Sequence, residues 1–345
     1  MKLANATPAT LSALNHTLDH IPDPSVDVAR PLGLLARCPK AAETPLQDAT
    51  DLAEMADVAH VHVKDERGRM GLGSFKALGA AYVIARDAAE GPVSDTTYVT
   101  ASAGNHGMSV AAGAQAFGAH AAIYIAQTVP EAFAERLRAI GAEVRREGEI
   151  YEDSMAAAAR AADDNGWVLL SDSSWDGYTD RPHTLMEGYL VLMEETVRQM
   201  PDPPTHIFLQ AGVGGLAAAA AAYARQAWGR APRIIVVEPE VAPPIFASAE
   251  AGAPVVTEGP SSAMGRLDCK EASLIALKGL ARDADDFLLI SEAEGKAGAE
   301  AAARAGLQTT PSGAAGLAGL LVARSELGLD DTSRVLVILS EGPEG

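Results

Sequence analysis

Apolar and polar positions alternate over short stretches and then recur at helical spacing, and this switch repeats along most of the chain. Residues 58–65, ending Val61-His62-Val63-Lys64-Asp65, alternate like a strand. From Ser74 onward Phe75, Leu78, Tyr82 and Val83 mark one face of a helix running to about residue 89, with Ser74 where an N-cap belongs. Strand–helix pairs follow at 97–100 and 104–117, at 121–126 and 130–140, and at 143–145 and 151–164, the last stopped by Asn165-Gly166. A strand at 167–170 leads to a long helix at 182–199 and a proline-rich connection, Pro201-Asp202-Pro203-Pro204. The pattern resumes with strands at 207–209 and 234–237 around a helix at 213–228. Helices at 292–305 and 312–326 and a strand at 335–339 close the chain. Residues 1–45, punctuated by Pro22, Pro24, Pro31, Pro39 and Pro45, read as an irregular arm, and 240–285 show no sustained period. Strands alternating with helices predict an α/β fold of parallel, three-layer sheets joined by right-handed crossovers. The division expected is a large domain from 1–85 and 200–345 and a small α/β domain from 86–199.

Composition narrows the partners. A formal net charge of −19 argues against nucleic acid and anionic membrane surfaces. Cys38 and Cys269, far apart and without metal-ligand spacing, predict neither disulfide nor metal and fit a reducing cytoplasm. No apolar run reaches membrane-spanning length, and the first residues lack the basic and apolar regions of a signal peptide.

Three stretches carry chemistry. Lys76 sits at a helix start behind Gly71 and Gly73, where burial and the helix dipole both disfavour an ammonium. Both effects predict a lowered pKa, suited to an amine that forms a Schiff base. In Gln210-Ala211-Gly212-Val213-Gly214-Gly215-Leu216, glycines let main-chain N–H groups approach an anion at a helix N-terminus, although neither nucleotide-binding motif is met. In Thr100-Ala101-Ser102-Ala103-Gly104-Asn105-His106-Gly107, small residues around another helix N-terminus can hold a carboxylate. Asn105 offers both a donor and an acceptor there, and His106 reads as a structural hydrogen bonder rather than a base.

Together these motifs resemble the fold type II pyridoxal-phosphate enzymes, the tryptophan synthase β-like group that includes serine and threonine dehydratases. The resemblance implies that the cofactor lies in the cleft between the two domains. It implies that Lys76 carries the cofactor beside Phe75, that Asn105 faces its 3′-oxygen, and that Gly212, Val213, Gly214, Gly215 and Leu216 cradle its phosphate. Within that group the chain is most similar to the diaminopropionate ammonia-lyase family. Ser171-Asp172-Ser173-Ser174-Trp175-Asp176-Gly177-Tyr178-Thr179 matches its Asp-Thr-Ala-Trp-Glu-Gly-Tyr-Thr segment, with Glu187-Gly188-Tyr189, Val237-Glu238-Pro239 and Ser312-Gly313-Ala314-Ala315-Gly316 as further matches. This places Asp172 against a cationic side-chain amine of the substrate; from the residues alone it can equally be a turn cap. It also places Tyr178, Ser102, Ala103, Gly104, Asn105 and His106 around the substrate.

Two departures stand out. Ala103 replaces an aspartate that serves the family as the base for D-substrates, so an L-specific enzyme is expected. Ser340 stands at the family's threonine, a neutral hydroxyl for the pyridine nitrogen that suits β-elimination. The implied activity is an ammonia-lyase acting on a small β-substituted L-amino acid, in a cytoplasmic homodimer. The alternative is a dehydratase of serine, threonine or 3-hydroxyaspartate; retention of Lys76 argues against a non-catalytic binding protein.

Overall fold

A computed structural model describes residues 1–343. Its strands in chain order are β1 (Lys2–Leu3), β2 (Leu46–Asp48), β3 (His60–Asp65), β4 (Thr97–Ala101), β5 (His120–Ile125), β6 (Glu143–Arg146), β7 (Val168–Leu169), β8 (His206–Gln210), β9 (Arg233–Pro239), β10 (Asp286–Ile290) and β11 (Arg334–Leu339). They form two sheets, a larger one in the order β1-β10-β9-β8-β11-β3-β2 and a smaller one in the order β6-β5-β4-β7. The smaller sheet is parallel throughout. The larger is parallel from β10 to β3 but carries an antiparallel strand at each edge, β1 and β2, so it is mixed rather than purely parallel.

The central strands are apolar almost without interruption because helices cover both of their faces. Alternate residues then serve two cores. Ile207, Leu209, Ile234, Val236, Leu336 and Ile338 pack towards the alanine-rich helix Gly215–Trp228, whose small side chains let it lie close to the sheet. Phe208, Ile235, Val237, Val335, Val337 and Leu339 pack towards the helix Ala315–Val322. Tyr98, Ile123 and Ile125 of the smaller sheet join the first of these cores through the helices Ala77–Glu90 and Asn105–Phe117, so the sheets share apolar packing.

The structure corrects several readings of the chain. The first 45 residues are ordered: β1 pairs with β10, Thr7 and Thr10 form a capping box on the helix Pro8–Thr17, and a second helix spans Ala29–Leu35. Leu14, Leu18 and Ile21 of this arm are buried in the core. The stretch 240–285 holds the helices Pro244–Ala251 and Leu274–Asp283, and β10 follows it. The expected helix at 312–326 is two helices, Ala315–Val322 and Arg324–Leu327. Ser74 is not a helix cap. It is buried and bridges to Glu341, while Lys76 itself is the N-cap residue of Ala77–Glu90.

Candidate active site

Lys76 is positioned by the exits of β3 and β11. After β3 the chain makes a tight turn of 3-10 helix, Glu66–Gly71, in which Met70 and Gly71 both take positive φ. It then runs alongside the end of β11: Phe75 N–H donates to the Ser340 carbonyl at 3.0 Å and Gly342 N–H to that of Gly73 at 2.9 Å. Ser109 Oγ, from the helix Asn105–Phe117, donates to the Lys76 carbonyl at 2.7 Å. The lysine is thereby tied to the end of β11 and to the helix Asn105–Phe117.

Its Nζ donates to Asp172 Oδ2 at 2.5 Å, and the Phe75 and Tyr189 rings lie 5.1 and 5.9 Å away. Burial works against charge on both partners, but their mutual attraction prevails. Lys76 is held above its ordinary pKa and Asp172 below its own. The expectation of a lysine acidified by burial and the helix dipole is thus overturned by a carboxylate remote in sequence.

Asp172 is itself fixed on both sides. Tyr178 Oη accepts from Ser171 N–H at 3.1 Å and donates to the Leu169 carbonyl at 2.9 Å, with Trp175 stacked on its ring. Tyr178, expected against the substrate, has its hydroxyl engaged with the main chain and orients the Asp172 loop. Ser174 and Ser273, 2.8 Å apart through their hydroxyls, fasten that loop to the helix Leu274–Asp283.

The glycine turn after β8 meets the same space. A Cβ on Gly215 would lie 3.7 Å from Tyr189 Cε2 and 4.0 Å from the Asp172 carbonyl. The helix Gly215–Trp228 has no side-chain cap, so its first-turn N–H groups are available to an anion. Gly212 is close-packed, since a Cβ there would come within 3.1 Å of Cys269 Sγ and of the Arg266 carbonyl. Gly214 has φ of +96°, a conformation suited to glycine. Gly214→Asp would add backbone strain, contacts with Ile245 and Ala276, and a negative charge. Titration with free cofactor should show affinity lower by at least about 100-fold, ~3 kcal/mol. Gly215→Ala, with room for its methyl, should cost far less; equal losses in both would move the anion elsewhere.

In the turn after β4, Ser102 Oγ accepts from Gly104 N–H at 3.2 Å, and Ala103 is half-buried beside them. His106 is buried, with Nε2 2.8 Å from the Leu170 carbonyl. That nitrogen must therefore carry the proton, leaving Nδ1 as a buried acceptor without a partner. Burial lowers the His106 pKa, and a neutral imidazole tied to the main chain fits the structural role read from the sequence. Asn105 Nδ2 donates to Glu341, which also accepts from Thr310 Oγ1 and lies 3.8 Å from Arg266 Nε. A cavity of about 260 Å³ opens beside this cluster, lined by Arg266, Thr309, Thr310 and Ser312 among others. Glu341 and Arg266 escaped sequence reasoning; Glu341 stands two residues past the end of an apolar strand, and Arg266 lies in a stretch without a regular pattern. Tyr189, buried with an unpartnered hydroxyl, was seen only as part of a matching motif. At the end of β11, Gln210 Nε2 donates to Ser340 Oγ at 3.1 Å, which leaves the Ser340 proton able to donate elsewhere.

An amine and an uncapped helix N-terminus that meet at the carboxyl ends of parallel strands suit an enzyme that works through a phosphate-bearing aldehyde. The chain belongs to the family of pyridoxal-phosphate dependent enzymes, which it matches over residues 39–341. It is 32% identical over 380 aligned residues to the diaminopropionate ammonia-lyase of Salmonella typhimurium, covering 97% of this chain and 92% of that protein. It is 30% identical to the human L-serine dehydratase/L-threonine deaminase over 242 residues, 70% of each chain. The structure of Escherichia coli diaminopropionate ammonia lyase in complex with an aminoacrylate-PLP azomethine reaction intermediate superposes with a TM-score of 0.83 at 28% identity, covering 98% of this chain and 91% of that one. The same enzyme in complex with D-serine gives 0.84 at 29%, covering 91% and 88%. The cofactor is pyridoxal 5′-phosphate, and the chemistry is that of a carbon–nitrogen lyase.

Proposed function

We propose that this lyase acts on a small L-amino acid bearing a β-amine, of the 2,3-diaminopropionate type, and with water converts it to a 2-oxo acid and two molecules of ammonia. The observation that carries this reading is the Asp172 carboxylate 2.5 Å from Lys76 Nζ, an anion where a cationic leaving group must be received. When bound, pyridoxal phosphate supplies an electron-withdrawing ring that stabilises negative charge at the substrate α-carbon. Its phosphate would be held by the main-chain N–H groups of the turn from Gly212 to Leu216, and its ring nitrogen would meet the Ser340 hydroxyl. The turn from Ser102 to His106 orients the substrate carboxylate. Lys76 Nζ, as a free uncharged amine, would take the α-proton. Asp172 receives the β-ammonium and keeps a proton on the departing nitrogen. Tyr178 and Ser174 hold Asp172 to that task through the main chain.

Ala103 sets the stereochemistry. The α-protons of L- and D-substrates lie on opposite sides of the cofactor plane once the carboxylate is fixed, and Lys76 serves one side only. A methyl group cannot act as the second base. Released ammonia and 2-oxo acid, scored over L- and D-2,3-diaminopropionate and L- and D-serine, test the whole reading. L-2,3-Diaminopropionate should lead, with the D-isomer at least about 10²-fold slower, the usual worth of a positioned base. Ala103→Asp should raise the D-rate and change the L-rate only modestly. Preference for L-serine would turn the assignment to a dehydratase, and comparable L and D rates would remove the single-base account.

The reading also takes 86–199 as a small domain working against 1–85 and 200–345, and the protein as a cytoplasmic homodimer. Free Cys38 and Cys269 support a reducing compartment, and among the described residues no helix is long and apolar enough to cross a membrane. The dimer rests on the resemblance to the lyase family, and sedimentation equilibrium measures it directly.

A further inference from the structure

Away from the cleft, the edge of the larger sheet gathers three metal-ligating side chains that the mechanism does not use. Asp48 of β2 pairs in register with His62 of the antiparallel β3. Residues opposed in this way project to the same face, and His60, two positions before His62, shares it. The His60 and His62 rings stack with centroids 5.5 Å apart and an interplanar angle of 10°. His60 Nδ1 lies 2.8 Å from Asp48 Oδ2, and one donor atom from each of the three residues lies within 4.8 Å of the others. His62 is 4% exposed, and its Nε2 is buried without a hydrogen-bond partner. Such a nitrogen costs about 1–3 kcal/mol when left unsatisfied.

We propose that Asp48, His60 and His62 form a zinc site, with water completing a four-coordinate shell, that clamps the edge strand β2 to β3. Two imidazoles and one carboxylate suit zinc better than calcium or magnesium, which prefer all-oxygen shells. Donors around a tetrahedral zinc ion lie about 3.3 Å apart at the usual bond lengths. The required closure is on the order of an ångström, within reach of side-chain rotation, because Asp48 and His60 are both about half exposed. The proton shared by His60 and Asp48 leaves when the metal enters. Arg334, beside His60 across β11 and β3, is the opposing charge; its guanidinium is engaged by the Pro203 carbonyl at 3.1 Å. Because the cluster lies at the start of β3, whereas the lysine turn leaves from its end, the clamp stabilises the strand without entering the reaction.

The test is calorimetric titration of chelator-treated holoenzyme with zinc chloride, repeated with cobalt(II), whose visible absorption reports coordination number. One equivalent per chain should bind at micromolar or lower concentration, with tetrahedral cobalt absorption and a melting temperature raised by a few degrees. Asp48→Asn and His60→Gln, both at half-exposed positions, should each weaken binding at least about 10-fold and abolish the thermal shift, leaving turnover unchanged. His62→Gln should do the same. Absence of binding up to about 1 mM zinc, or binding equally tight in Asp48→Asn and His60→Gln, overturns the proposal.

Discussion

Lys76→Ala should eliminate the cofactor adduct fixed by borohydride and lower turnover by at least about 10³-fold. On the proposed mechanism one amine both anchors the cofactor and moves the α-proton, and a positioned base alone is worth about 10²–10⁴-fold. Peptide mapping of the reduced wild-type holoenzyme should place the label on Lys76. The structure already excludes the neighbouring candidate. Lys64 is buried and committed to Glu195 at 2.7 Å, the Thr44 carbonyl at 2.8 Å and Gln199 at 3.1 Å. Glu195 also pairs with buried Arg69, so Lys64 is part of a closed ionic network and cannot swing into the cleft. The variant should fold, as circular dichroism will show, but the apo form should lose about 1–3 kcal/mol because Asp172 is left without its cation in a largely enclosed site. Replacing Asp172 by alanine as well should recover part of that loss. Label found on any other lysine, or turnover within a few-fold of wild type, would sink the central assignment.

What could be read from the chain, and what could not, follows from the range of the interactions involved. Strands such as β8 and β9 and the helix between them were legible because their patterning is local and both faces are covered by the same fold. The lysine turn and the two glycine turns were legible for the same reason: each is a contiguous stretch whose backbone needs are written in glycine and small residues. The helix Pro8–Thr17 was missed because the prolines that follow it, from Pro22 to Pro45, made the whole arm read as irregular, although Thr7-Pro8 is a cap followed by a favoured first position. β10 was missed because Asp286-Phe287-Leu288-Leu289-Ile290 follows a stretch without a sustained period, so no predicted helix led into it. The pKa of Lys76 was misjudged because its governing neighbour, Asp172, arrives from the end of another sheet. Glu341 was invisible for a like reason: its partners Asn105 and Thr310 come from distant turns. Local chemistry was written in the sequence, whereas the electrostatics of the site required tertiary structure.

Asp172→Asn tests that electrostatic account most directly, because it removes a charge and almost no volume. With the carboxylate gone, the main support of the Lys76 ammonium against burial is lost and its pKa must fall. Apoenzyme must shed that proton before the amine can join the cofactor, so the pH profile of cofactor uptake should move to lower pH in the variant. This shift is independent of catalysis and shows whether the pair exists in solution. Turnover separates the two roles Asp172 could play. If it receives a β-ammonium, L-2,3-diaminopropionate turnover should drop by about 10²–10⁴-fold, the range for a positioned acid or base. L-Serine, whose leaving group carries no charge, should lose much less. Equal losses on both substrates would mean that Asp172 only manages the proton on Lys76, and the preference for a β-amine would have to come from other groups. An unchanged uptake profile together with unchanged turnover on both substrates would remove Asp172 from the mechanism altogether.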